Sequence, residues 1–189
     1  MKLVIGISGA SGSIYGIRLL EMLKDVPAVE THLIISEAAG LTVELETGWS
    51  ADDIRKLASV NYENSDIGAA IASGSCDTGG MVIAPCSVKT MSAIATSFSH
   101  NLMARAADVT LKERRKLVLV VRETPLHLGH LRAMTAITET GGIILPPVPA
   151  FYHQPQTVTD IVDQTAGKIL DQFGIAPPSF RRWQGKKTG

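Results

Sequence analysis

Short apolar runs, each followed by a longer amphipathic segment, constrain this chain more than any other feature. Residues 3–7 (LVIGI), 31–35, 81–84, 116–121 and 143–145 are too short for buried helices and read as strands covered on both faces. Between them lie helical patterns. The first runs through Ile14, Ile17, Leu20 and Leu23 and stops before Pro27, and the second spans 37–46. Ser50 and Asp53 carry capping-box spacing ahead of a helix over 51–58. Further helices are predicted over 88–97, 102–115 and 126–140. Thr157 and Asp160 open a last one, whose apolar stripe is Val158, Ile161, Val162, Ala166, Ile169, Leu170 and Phe173. Residues 60–80, rich in Ser, Asn, Asp and Gly, give no clear pattern beyond a short helix around 67–72. Strand–helix alternation without a linker predicts a single domain over 1–189, a three-layer α/β fold with a parallel sheet and a polar tail over 174–189.

Composition narrows the function classes. Eighteen basic and eighteen acidic residues cancel, so the chain lacks the basic surplus of a nucleic-acid binder. Cys76 and Cys86 form no CxxC pair, which argues against a disulfide scaffold or a thiolate zinc site and points to a reducing, cytoplasmic setting. No signal sequence precedes the first strand, and no apolar run has membrane-spanning length, so no membrane partner is expected. Aromatic residues make up only 5% while glycine is plentiful at 17, which suits close helix packing and backbone that approaches a ligand.

In a parallel sheet the ligand lies beyond the carboxyl ends of the strands. The first loop there, GISGASG (6–12), lets backbone N–H groups and a helix dipole face an anion. Its GxxGxxG spacing is neither the dinucleotide fingerprint nor a Walker loop, so it is a mononucleotide phosphate cradle or simply a tight strand–helix turn. Ser36 ends the second strand. Ser87, Val88, Lys89 and Thr90 repeat hydroxyls and fresh helix N–H groups after a central strand, as a ligand loop or as plain N-capping. Arg122 and Glu123 follow the fourth strand, either as an anion contact with a proton donor or as a solvated ion pair. The proline-rich loop 146–155 presents Tyr152 stiffly. His127 and His130 have metal-ligand spacing but no third ligand in a recognised pattern, and read better as helix-end histidines.

Taken together, GISGASGSIYG (6–16), ETHLIISEA (30–38), LET (45–47), VIAPCSVKTMSAIA (82–95), the block 101–131, LPPVPAFYHQPQ (145–156) and RRWQG (181–185) resemble the UbiX family of flavin prenyltransferases over about residues 2–185. The resemblance implies a Rossmann-like, flavodoxin-type fold that assembles into a homododecamer with FMN at subunit interfaces. It implies transfer of the dimethylallyl group of dimethylallyl phosphate to N5 and C6 of reduced FMN, without a metal. Prenylated FMN then serves a UbiD-type decarboxylase, in the ubiquinone pathway for the bacterial branch. By position, Ala10, Ser11 and Gly12 hold the FMN phosphate end, with Ser36, Ser87, Val88, Lys89, Thr90 and Arg122 completing the cofactor site. Ser11 and Glu123 relay a proton to the departing phosphate, and Glu46 assists ring closure. Arg105, Lys112, Tyr152 and Lys168 clamp the prenyl phosphate, and Trp183 lends an aromatic face to the allylic cation. Lys168 departs from the family's usual Arg and loses the planar fork. Competing readings are an FMN-dependent cysteine-type decarboxylase, whose Asn-containing clamp motif is missing, a hydroxybenzoate decarboxylase, and a non-catalytic flavin carrier.

Overall fold

The structure, a computed structural model, describes residues 1–185; the last four positions of the predicted tail lie outside them. Six parallel strands form one sheet: β1 (Lys2–Ile7), β2 (Glu30–Ile35), β3 (Val60–Glu63), β4 (Gly80–Cys86), β5 (Lys116–Val121) and β6 (Ile143–Ile144), in the order β3-β2-β1-β4-β5-β6. Helices α1 (Ser13–Lys24), α2 (Glu37–Glu46), α3 (Ala51–Arg55) and α7 (Val158–Asp171) supply the core on one face. Helices α4 (Val88–Ala95), α5 (Leu102–Lys112) and α6 (Leu128–Glu139) supply it on the other. Alternate β1 residues divide between the layers, with Leu3, Ile5 and Ile7 facing α1 and Val4 facing α5. Five strands in the order 2-1-3-4-5 make the flavodoxin-type sheet; the short edge strand β3 extends it to the Rossmann order. The strand order reverses between β1 and β4, which sets the crevice at their carboxyl ends.

Residues 60–80 depart from expectation. Val60–Glu63 is a strand, paired to β2 from His32↔Val60 to Ile35↔Glu63, and the short helix around 67–72 is a single 3₁₀ turn at Ala70–Ala72. Several helices end earlier than predicted for a local reason. Ser97 and Arg114 adopt left-handed backbone (φ 53° and 57°), which stops α4 and α5. His127 starts α6 by accepting the Gly129 N–H on Nδ1 at 3.0 Å, so it is a cap. On α7, Val162, Ala166, Ile169 and Leu170 are buried as the stripe requires, but Val158 is 77% exposed and faces a cleft instead.

Candidate active site

Helices α1, α2 and α4 begin at the carboxyl edge of the sheet around one cavity of about 490 Å³. Gly9, Ala10 and Ser11 come from the β1–α1 loop, and Ser36 from the end of β2. Ser87, Val88, Lys89 and Thr90 come from the start of α4, and Arg122 and Glu123 from the end of β5. Cavities of roughly 300–1,000 Å³ hold small ligands and cofactors. Each helix start has its own cap. Ser36 Oγ accepts the Ala39 N–H at 3.2 Å and Ser87 Oγ the Thr90 N–H at 3.3 Å. At α1 the acceptor comes from another helix: Gly12 N–H donates to Glu46 Oε2 at 2.8 Å and Ser13 N–H at 3.3 Å. Gly12 itself is left-handed (φ 100°), a backbone that favours glycine.

The loops are held in mutual register by a buried hydroxyl. Ser8 Oγ donates to the Pro85 carbonyl at 2.9 Å and accepts the Ser87 N–H at 2.7 Å. Gly9 packs its backbone onto α2, where a Cβ would stand 2.5 Å from that of Ala38. Electrostatically, burial raises the Glu46 carboxyl, but hydrogen bonds from Ser11, Gly12 and Ser13 and the charge of Arg122 outweigh it and hold the group below its ordinary range. Arg122 carries no side-chain hydrogen bond or ion pair among the described residues, leaving its guanidinium uncommitted. Glu123 accepts the Thr124 N–H at 3.0 Å through one oxygen. Burial pushes the Cys86 thiol up, so it sits in the core as an unreactive small residue.

A second cleft adjoins the first. Ser11, Arg122 and Glu123 also line an apolar hollow of about 530 Å³ walled by Pro146, Pro147, Val148 and Pro149 and by Val158 of α7. The two spaces therefore meet at these three side chains.

The remaining predicted residues lie elsewhere. Tyr152 and Trp183 meet edge to face with centroids 5.9 Å apart, and the Lys168 ammonium stands 3.8 Å from Asp171. Arg105 donates to the Ala72 carbonyl and to Asp108, both at 3.1 Å, and Lys112 pairs with Glu113 at the opposite end of α5. Within one chain, Arg105 and Lys112 are not brought to the cavity. Asn64, His100 and Asn101 line it without having been predicted. Asn64 falls in the unpatterned stretch; Asn101 had a signal, since it caps α5 through the Ala104 N–H at 2.9 Å.

An open parallel sheet with helix starts and an uncommitted arginine around its crevice defines a mononucleotide-binding α/β protein, and the Flavoprotein family matches residues 1–170. The chain is 58% identical over 186 residues to the flavin prenyltransferase UbiX of Escherichia coli (strain K12), covering 97% of this chain and 98% of that one. A solved structure of AnUbiX (PadA1) in complex with FMN and dimethylallyl pyrophosphate superposes with a TM-score of 0.96 at 43% identity, over 98% of both chains. A dodecameric FMN-dependent Ubix-like decarboxylase from Escherichia coli O157:H7 also superposes at 0.96, with 49% identity over 98% of this chain and 100% of that one. The chain belongs to the UbiX family of flavoproteins.

Proposed function

We propose that this chain is a flavin prenyltransferase: it joins the dimethylallyl group of dimethylallyl phosphate to reduced FMN at N5 and C6, for use by a UbiD-type decarboxylase in ubiquinone biosynthesis. The observation that carries this reading is the shared wall, where Ser11, Arg122 and Glu123 border both a polar cradle and a proline-lined apolar cleft. Attaching a five-carbon apolar group to a polar nucleotide requires such a boundary. Reduced FMN supplies the nucleophilic atoms.

The protein's own groups supply the rest. The N–H groups of Gly12 and Ser13 already face the Glu46 carboxylate, which repels a second anion. The FMN phosphate therefore belongs at the starts of α2 and α4, on Ser36 and Ser87 to Thr90, where helix dipoles favour negative charge. That moves the phosphate end away from Gly12 and leaves Ala10, Ser11 and Gly12 to border the flavin ring beside Glu46. Glu46, held ionised, sits where positive charge on the ring needs balancing during ring closure. Ser11 and Glu123 deliver a proton to the departing phosphate, and fixed cations stabilise that leaving group. The proline wall keeps water from the allylic cation.

Arg105 and Lys112 join the clamp with Tyr152, Lys168 and Trp183 if a neighbouring copy presents them, which a homododecamer provides. No helix of the described residues is long and apolar enough to cross a membrane. Free cysteines support a cytoplasmic setting. The test is to mix the protein with reduced FMN and dimethylallyl phosphate and weigh the flavin product. The prenylated mass is expected only with both substrates. Release of carbon dioxide from a hydroxybenzoate or a cysteine peptide, with no prenylated flavin, would overturn the reading in favour of a decarboxylase. Light scattering on the active protein tests the assembly.

A further inference from the structure

We propose that one face of α7 is a dock for the C-terminal tail, with Gln164 and Gly167 as the positioning residues that bring Trp183 and Tyr152 together beside the prenyl donor. The inference rests on the prenyl-transfer reading for what the tail touches, but the dock itself stands on geometry.

Gln164 is a polar side chain only 4% exposed, on the side of α7 turned away from its apolar stripe. A buried amide is costly unless its groups are paired, and here they are paired with the tail. Its Oε1 accepts the Arg181 N–H at 3.0 Å, while its Nε2 donates to the Arg181 carbonyl and to the Tyr152 hydroxyl, each at 2.7 Å. The amide thus treats Arg181 as a strand treats its neighbour, and ties Tyr152 into the same knot. One helical turn on, Gly167 leaves room for Phe180: a Cβ there would stand 2.5 Å from the Phe180 Cβ. A further turn on, Asp171 takes the Arg182 guanidinium. Positions 164, 167 and 171 share one face of a helix, and successive tail residues engage all three. The Arg182 guanidinium lies 5.4 Å from the Phe180 ring centre, which stiffens the tail further.

The Tyr152 hydroxyl proton is directed at the Arg181 carbonyl, 2.9 Å away. That carbonyl also accepts a hydrogen bond from Gln164 Nε2. Tyr152 can therefore turn its O–H to a substrate phosphate without leaving that carbonyl unpaired. Gln164 makes that exchange inexpensive, and this is how it acts on the reaction without touching the substrate.

Two variants test the dock by different routes. Gln164→Leu removes the amide, and Gly167→Ala expels Phe180 while favouring the helix itself, since Ala is the better helix former. Both variants of the full-length protein should be cut by trypsin after Arg181 or Arg182 at least about tenfold faster than the parent, read by mass. Both should raise KM for dimethylallyl phosphate about tenfold (~1.4 kcal/mol), with kcat within about threefold and FMN affinity unchanged. In a Tyr152→Phe background, Gln164→Leu should add little to KM, because the two act as a unit. Cleavage at the parental rate in both variants overturns the dock. A freed tail with unchanged KM overturns its link to the donor, as does a joint fall of kcat and FMN affinity. If the parent protein makes no prenylated flavin, the prenyl-transfer reading fails and the cleavage rates alone decide the dock.

Discussion

Two arginines flank the same strand and have opposite fates. Arg115, just before β5, donates to the carbonyls of Gly74 at 3.0 Å and Cys76 at 2.6 Å and to the Thr78 hydroxyl at 3.2 Å. Its guanidinium closes the loop at the amino edge of the sheet and has little left to offer a ligand. Arg122, just after β5, has no such partner among the described residues and faces the cavity shared with Glu123. Identical chemistry at the two ends of one strand thus becomes a fastener at one edge and an instrument at the other. What separates them is whether nearby carbonyls claim the donors.

The hardest blow to this contrast would come through Glu123. Glu123→Gln should cut turnover by about 10²-fold or more, as for a general acid–base group, while FMN binding and unfolding temperature hold. Steady-state rates beside a flavin titration check it; near-parental turnover would make the carboxyl edge as merely structural as the other. Next come the arginines themselves. Arg115→Ala should lose about 2 kcal/mol of stability in denaturant melts, from orphaned acceptors and lost charge-assisted bonds. Arg122→Ala should stay within about 0.5 kcal/mol of the parent in stability yet weaken FMN about tenfold or more.

A smaller effect belongs to Glu46. Its carboxyl titrates below the ordinary 4.5, so its contribution as the cap of α1 is complete above the unfolded value and fades as pH falls through the folded one. Stability should exceed that of Glu46→Gln by about 0.5–1 kcal/mol at pH 7. The gap should close only below the ordinary value, and a constant gap down to pH 2 would refute the cap. Least of all, Lys168→Arg should lower KM for the prenyl phosphate about twofold by restoring the planar fork. An unchanged KM would remove position 168 from the clamp.

Legibility followed the range of the interactions. Strands β1, β4 and β5 were readable because burial on both faces leaves an unbroken apolar run, and the 164-centred helix because its stripe repeats at 3.6 residues. Val60–Glu63 was not, although its V-N-Y-E alternation is that of a half-covered edge strand, because turn-forming neighbours mask so short a run. Among site residues, those in loops after strands were legible from topology. The Glu46 cap was not: its carboxylate reaches N–H groups 33 and 34 residues away, and a glutamate at the end of an exposed helix carries no local sign of that errand. Gln164 is similar, a polar residue off the stripe that carries no local sign of its burial until the tail returns to it.

The Ser8 hydroxyl has a consequence for how the protein folds and how ligand binding is felt. It joins segments separated by 77 to 79 residues, so the crevice cannot close its register until β1 and β4 have paired, a late, non-local event. Any ligand held by both loops is then coupled to the central sheet itself. In hydrogen-exchange terms, FMN should slow the deepest amides of β1 and β4 along with those of the loops, because only whole-sheet opening releases it.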